Sequence, residues 1–211
     1  MTGLKNGLTP TAVSIRHEEH LTYYGFLCFE KSRILDMNRS TTNTPELKPE
    51  PLPVIPNAIP GELKRRKRWV VWKYTYVKGK WTKPPYRANN PKFKASTKDP
   101  NTWSDYQEAL DAYQTDEDID GIGYVASPDD GLVWFDLDDC IGDDGKPNPE
   151  TQDIINAIGS YTELSPSGHG IRIIARGKLP GKEFNNRKLG REIYDGTGGR
   201  YLTLTGQVFD G

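Results

Sequence analysis

An α+β fold, with mixed β-sheets and flanking helices, is what this 211-residue sequence predicts. Short β-branched and aromatic runs bounded by turn residues read as strands, above all Trp69–Trp72, Leu132–Phe135 and Ile171–Ala175. After a basic first helix, segments at 103–115 and 149–158 also read as helices. Two strand–turn–strand patterns near the end of the chain add hairpins to the sheet.

Taken in order, residues 1–58 are polar and end in a proline-rich run, Pro45, Pro49, Pro51, Pro53 and Pro56. That composition predicts a tail and a stiff extended linker. The folded domain is expected over 59–211. It opens with a basic first helix, followed by strands at 69–76 and 80–83. The helix at 103–115 would be capped by Thr102 or Ser104, with Tyr106, Ala109, Leu110 and Tyr113 on one face. Strands follow at 121–126 and 131–137, then the helix at 149–158. Hairpins pairing 161–164 with 171–175, and 191–195 with 200–205, complete a mixed sheet. There is no internal repeat.

No apolar run reaches the length of a signal or membrane segment, so a cytoplasmic protein without a membrane partner is expected. Cys28 and Cys140 are far apart, and a disulfide is not expected. His17 and His20 have nothing nearby to complete a metal site and are expected at the surface.

Chemistry concentrates in three places. Asp136-Leu137-Asp138 ends an apolar strand. Alternation puts both carboxylates on one face, about 7 Å apart along the strand. Such a pair suits a hard divalent cation that also takes phosphate oxygens, although an acidic strand end is also an ordinary solvated feature. The turn Ser165-Pro166-Ser167-Gly168-His169-Gly170, followed by Arg172, gathers hydroxyl, imidazole and guanidinium donors suited to phosphate. Ser and Gly are equally at home in a plain hairpin turn. Arg191–Gly206 offers Glu192 as a third acid, with Asp195 as its rival, and Arg200 as a cation beyond a Gly-rich turn.

A formal net charge of −1 conceals an asymmetry. Residues 61–100 hold 13 Lys or Arg against two acids, and 101–160 hold 16 acids against Lys146. The basic block runs from Lys64, Arg65, Arg66, Lys67 and Arg68 through Lys73 and Lys83, interleaved with Trp69, Trp72, Tyr74, Tyr76, Trp81 and Tyr86. Cations with rings are the inventory of a single-strand nucleic-acid surface. The competing reading is a solvated helix end followed by core aromatics.

These motifs, in this order, resemble the archaeo-eukaryotic primase superfamily, and more closely the primase-polymerase domains of phage and plasmid replication proteins. The upstream segments Ile59–Leu63, Lys83-Pro84-Pro85-Tyr86, Thr102-Trp103-Ser104 and Asp120–Tyr124 agree. The resemblance covers roughly residues 59 to 209. It implies a primase-polymerase catalytic core using Mg²⁺ or Mn²⁺ in a two-metal site at Asp136, Asp138 and Glu192. It implies that Ser165, Ser167 and His169 hold the incoming nucleotide, with Arg172 and Arg200 as triphosphate contacts. The implied partners are single-stranded or primed DNA and dNTP or NTP. Relatives continue into helical or helicase regions beyond the point where this chain stops, so a larger protein is expected. Two other classes stay open. One is a metal-dependent glycosyltransferase using Asp-x-Asp, and the other is a replication-initiation module that binds nucleic acid without catalysis.

Overall fold

The computed structural model describes residues 47–186 and 188–210. His17, His20, Cys28 and most of the 1–58 stretch lie outside them. In chain order the first strands are β1 (Trp69–Trp72), β2 (Thr75–Val77), β3 (Lys80–Thr82), β4 (Pro85–Arg87), β5 (Asn90–Lys94) and β6 (Gly121–Val125). The later ones are β7 (Leu132–Leu137), β8 (Tyr161–Leu164), β9 (Ile171–Arg176), β10 (Phe184–Asn186), β11 (Arg191–Tyr194) and β12 (Tyr201–Leu204). The helices are α1 (Gly61–Lys64), α2 (Tyr106–Thr115) and α3 (Pro149–Ile158).

Two five-stranded sheets, ordered β12-β6-β1-β4-β5 and β10-β11-β7-β9-β8, carry the fold, with β2-β3 as a separate ribbon. The pairings among the described residues are antiparallel, where mixed sheets were expected. The two sheets share one core, in which Trp69, Val71, Ile122, Tyr124 and Leu204 meet Leu132, Trp134, Ile174 and Tyr194. Tyr124 stacks on Trp134 across it, ring centres 5.4 Å apart. Alternation on β9 sends Ile171, Ile173 and Ala175 to the other face, where Ile155 and Ile158 of α3 cover them. Arg172 and Ile174 therefore point toward the first sheet, as do Trp134 and Asp136 on β7.

The helices begin where their caps allow. Asp105, not Thr102 or Ser104, caps α2, its carboxylate accepting from Glu108 N at 2.9 Å. Asn148 caps α3 through Thr151 N at 2.9 Å, with Pro149 in the first turn and Gly159 closing the end at φ +57°. The expected basic first helix is a single turn, α1.

The larger correction concerns 191–205. β11 and β12 do not form a hairpin: β11 pairs with β7 and β10, whereas β12 pairs with β6 in the other sheet. The Gly-rich turn is a crossing between sheets. It runs so close to the β6–β7 connection that a Cβ on Gly196, at φ +89°, would lie 2.4 Å from Ser127 N.

The proline-rich stretch lies on the domain. Leu52 N donates to Pro166 O at 2.8 Å and Ile55 N to Thr205 O at 2.7 Å. Val54 N donates to the Tyr113 hydroxyl at 3.2 Å, and Gln207 Nε2 to Pro53 O at 2.7 Å. Prolines donate no N–H, so the residues between them donate the first three of these bonds and Pro53 takes part only as an acceptor. Among the described residues no helix is long and apolar enough to cross a membrane.

Candidate functional site

Strand register assembles the site. Glu163 of β8 faces Arg172 of β9, Arg172 faces Asp136 of β7, and Asp136 faces Glu192 of β11. Four strands thus contribute one row of charged residues, three acids and one arginine, on one face of the second sheet. Directly opposed residues in such a row have Cβ atoms about 5 Å apart.

Asp136 is held from two sides. Arg172 Nε donates to its Oδ1 at 3.1 Å and the Tyr194 hydroxyl to its Oδ2 at 3.3 Å. Arg172 is buried, and its Nη1 also donates to Thr203 O and Thr203 Oγ1 of β12, both at 2.6 Å. Burial alone would weaken the guanidinium, but Asp136 and Glu163 beside it outweigh that and hold its pKa up. Glu163 has no exposed surface and accepts from the Tyr161 hydroxyl, Thr205 N and Gly206 N at 2.8, 3.1 and 2.8 Å. Its burial pushes the carboxyl pKa up, against Arg172 and these donors. Arg172 is therefore an internal tie between the two sheets, behind Asp136.

Asp138 sits just past β7, its N–H donating to Gly190 O at 2.8 Å. It keeps substantial contact with solvent. The low-dielectric surroundings and the neighbouring Asp136 nonetheless raise its carboxyl pKa, opposed by Arg172 and Lys83. Lys83 belongs to this group: burial and Arg172 lower its ammonium pKa, while Asp136 and Asp138 hold it up.

The Ser-x-His turn lies at the same end of the sheet. Leu137 faces Ile171, so the turn before Ile171 stands beside the acids after Leu137. Cys140 N and Ile141 N, just past the acids, both donate to His169 O, at 2.9 and 3.0 Å. A Cβ on Gly170 would lie 2.8 Å from Leu137 O, so the approach requires glycine. Ser165 is buried and shapes the turn, accepting from Gly170 N at 3.1 Å and sharing a 3.1 Å bond with Ser167 Oγ. Ser167 and His169 are exposed to solvent.

The remaining candidates divide. Glu192 lies in the row beside Asp136, whereas Asp195 turns to its own loop, accepting from Thr197 N and Thr197 Oγ1 at 3.2 and 2.9 Å. Arg200 lies over the Tyr194 ring, 6.0 Å from its centre, one side chain removed from Asp136. The run Lys64–Arg68 is elsewhere. Arg66 and Arg68 pair at 2.5 and 3.2 Å with Asp130, whose side chain is fully buried, and Lys64 lies 5.2 Å over Tyr106. Asp130 precedes β7 and Asp136 nearly ends it, so these cations stand about 20 Å from the acids along the strand. Arg65 and Lys67 are exposed there, and Lys73 lies 5.2 Å from the Tyr86 ring centre.

Tyr194, Thr203 and Glu163 are contributors that the sequence reading missed. Tyr194 had a signal, standing two residues after Glu192 on the same strand face. Thr203 had none, because its strand was assigned to the wrong sheet.

Among the described residues no three His, Cys, Asp or Glu side chains converge into a cage for a metal ion. Mg²⁺ does not need one, since it binds through one or two carboxylates together with substrate phosphates. The like-charged pair Asp136 and Asp138, with Asp138 already pushed toward protonation, fits that donor set.

No protein-family profile matches the chain. It is 39% identical over 154 residues to the DNA primase-polymerase of Nitratiruptor phage NrS-1, a match covering 71% of this chain and 20% of that protein. The chain thus spans about a fifth of the length of the curated relative it matches. At that identity over most of its own length, the chain stands in a family relationship with the phage primase-polymerases.

Proposed function

We propose that this chain is a template-directed nucleotidyltransferase, joining a nucleoside triphosphate to a 3′-hydroxyl on single-stranded or primed DNA. The observation that carries the reading is the end of β7. There Asp136 and Asp138 lie beside Glu192 on one side and the Ser167–His169 turn on the other. The kinship with a phage DNA primase-polymerase supports it.

Mg²⁺ or Mn²⁺ bound at Asp136, Asp138 and Glu192 would polarise phosphoryl oxygens and acidify the attacking hydroxyl. Arg172 acts as a positioning residue, fixing one oxygen of Asp136 while Tyr194 fixes the other. Ser167 and His169 present donors to the triphosphate, and Lys83 adds a basic group beside the acids. Arg200 stands further back, as a contact that a bound triphosphate would reach past Tyr194.

Primer extension on a primed single-stranded template, with Mg²⁺ or Mn²⁺ and either dNTP or NTP, tests the reading. Extension by the wild type that is lost in Asp138→Asn supports it, and the nucleotide used identifies the sugar. An Asp138→Asn variant as active as the wild type refutes the assignment of the acids. Template binding without extension would favour a non-catalytic replication module.

A further inference from the structure

The β2–β3 ribbon pairs with neither five-stranded sheet. Its tip is the turn Val77-Lys78-Gly79-Lys80, with Lys78 at φ +50° and Gly79 at φ +80°, the pair of left-handed residues that suits a tight hairpin. Tyr76 and Val77 are 47% and 41% exposed, and Lys78 and Lys80 flank them in solvent. An isolated two-stranded hairpin is marginal in water. This one is tied down at its base, where Tyr74 N donates to Asp120 Oδ2 at 2.6 Å and the Thr75 and Tyr86 hydroxyls lie 3.2 Å apart. Its outer half carries Tyr76 and Val77 into solvent, and Tyr76 is the outermost of three neighbouring rings, Tyr76, Trp81 and Tyr74.

Those rings form a line that leads to the acids. Tyr76 and Trp81 meet edge to face with centres 5.2 Å apart, and Trp81 and Tyr74 follow at 6.3 Å. Lys83 Nζ lies 6.0 Å over Tyr74, and the same ammonium interacts with Asp136 and Asp138. The stretch 73–94 holds seven Lys or Arg and no Asp or Glu. The run Lys64–Arg68, by contrast, stands at the far end of β7 and spends Arg66 and Arg68 on Asp130.

We propose that the β2–β3 ribbon is the surface that holds a single nucleic-acid strand and leads it to the acids. Tyr76 stacks on a base, while Lys78, Lys80 and Lys83 follow the phosphates. Ring stacking accepts any base, so the surface is sequence-tolerant and prefers unpaired strands to duplex. The inference rests on the nucleotidyltransfer reading for where the strand leads, and not for whether it binds.

The test is fluorescence anisotropy of the full chain with a labelled oligothymidylate of about 16 nucleotides, over a salt series. Lys78→Gln/Lys80→Gln should lower the slope of log K against log salt by about 1.4, two phosphate contacts' worth on a single strand. The charge-matched pair Arg65→Gln/Lys67→Gln should leave it unchanged. Tyr76→Ala should weaken binding about tenfold by loss of stacking. Tyr76→Leu, which keeps an apolar side chain on the strand, should lose nearly as much. Ribbon variants that bind like the wild type overturn the proposal, as does an equal loss in the Arg65/Lys67 pair or equal affinity for duplex. Ribbon-dependent binding by a wild type that extends no primer overturns the polymerase reading alone.

Discussion

Asp138 and Asp136 share a face, yet a substitution at each should have opposite consequences for stability. Folding raises the Asp138 carboxyl above its ordinary value of 3.8. A carboxyl raised in this way favours the folded state below 3.8, and that contribution is lost as pH rises through the higher folded value. At neutral pH the charge therefore opposes folding, and Asp138→Asn should raise Tm slightly. Because Asp138 is solvated, the gain should be about 2 °C or less. It should fade as pH is lowered toward 3.8, which thermal melts across a pH series would show. Primer extension by the same variant should fall at least about 100-fold, the scale of losing one electrostatic contact to a reacting centre. Asp136→Ala is different, because it strips the carboxylate partner from the buried Arg172. It should cost about 3 kcal/mol in urea unfolding as well as activity. The sequence displayed both acids, since they follow an apolar strand. It did not display the second duty of Asp136, because that depends on which residue of β9 lies opposite.

Among the elements, those with a clear period were legible and two of the four edge strands of the five-stranded sheets were not. The apolar runs of β1, β7 and β9 and the span of α3 were expected where they are found. β5 and β10 escaped because edge strands such as Asn90–Lys94 and Phe184–Asn186 are largely exposed and carry no alternation to read. The basic run shows a different limit, since sequence counts cations without showing what they bind. Arg66→Met should destabilise the protein by about 2 kcal/mol, less than a fully orphaned charge would cost, because Arg68 still reaches Asp130. Urea denaturation measures this, and unchanged stability would return Arg66 to the solvated surface. Gly196→Ala should cost more than about 2 kcal/mol by the same measurement, given its positive φ and the backbone it would strike.

For the molecule as a whole, β-sheets with flanking helices followed from the strand and helix content. The pairing of β12 with β6 rather than β11 did not, because a short Gly-rich turn reads alike whether it reverses within a sheet or crosses between two. The proline-rich stretch supplies a test at this scale. Its donors reach Pro166, Thr205 and Tyr113, and its Leu52 lies against the Ser-x-His turn beside Gly168. A chain begun at residue 59 should be less stable than one begun at 47 by about 4 kcal/mol, roughly one for each of the four hydrogen bonds lost. Equal thermal melts for the two would show that the stretch contributes no stability.

β12 is the last strand described, and it closes a sheet whose other members occupy residues 69–125. During synthesis β6 must wait with an open edge until nearly the whole domain has left the ribosome. Arg172 meets Thr203 only then, so Asp136 gains its settled orientation at the end of folding. Such distant pairing is slow to form and exposes an unpaired strand meanwhile. A nascent chain halted before Tyr201 would carry every acid of the site and still lack the tie that aligns them.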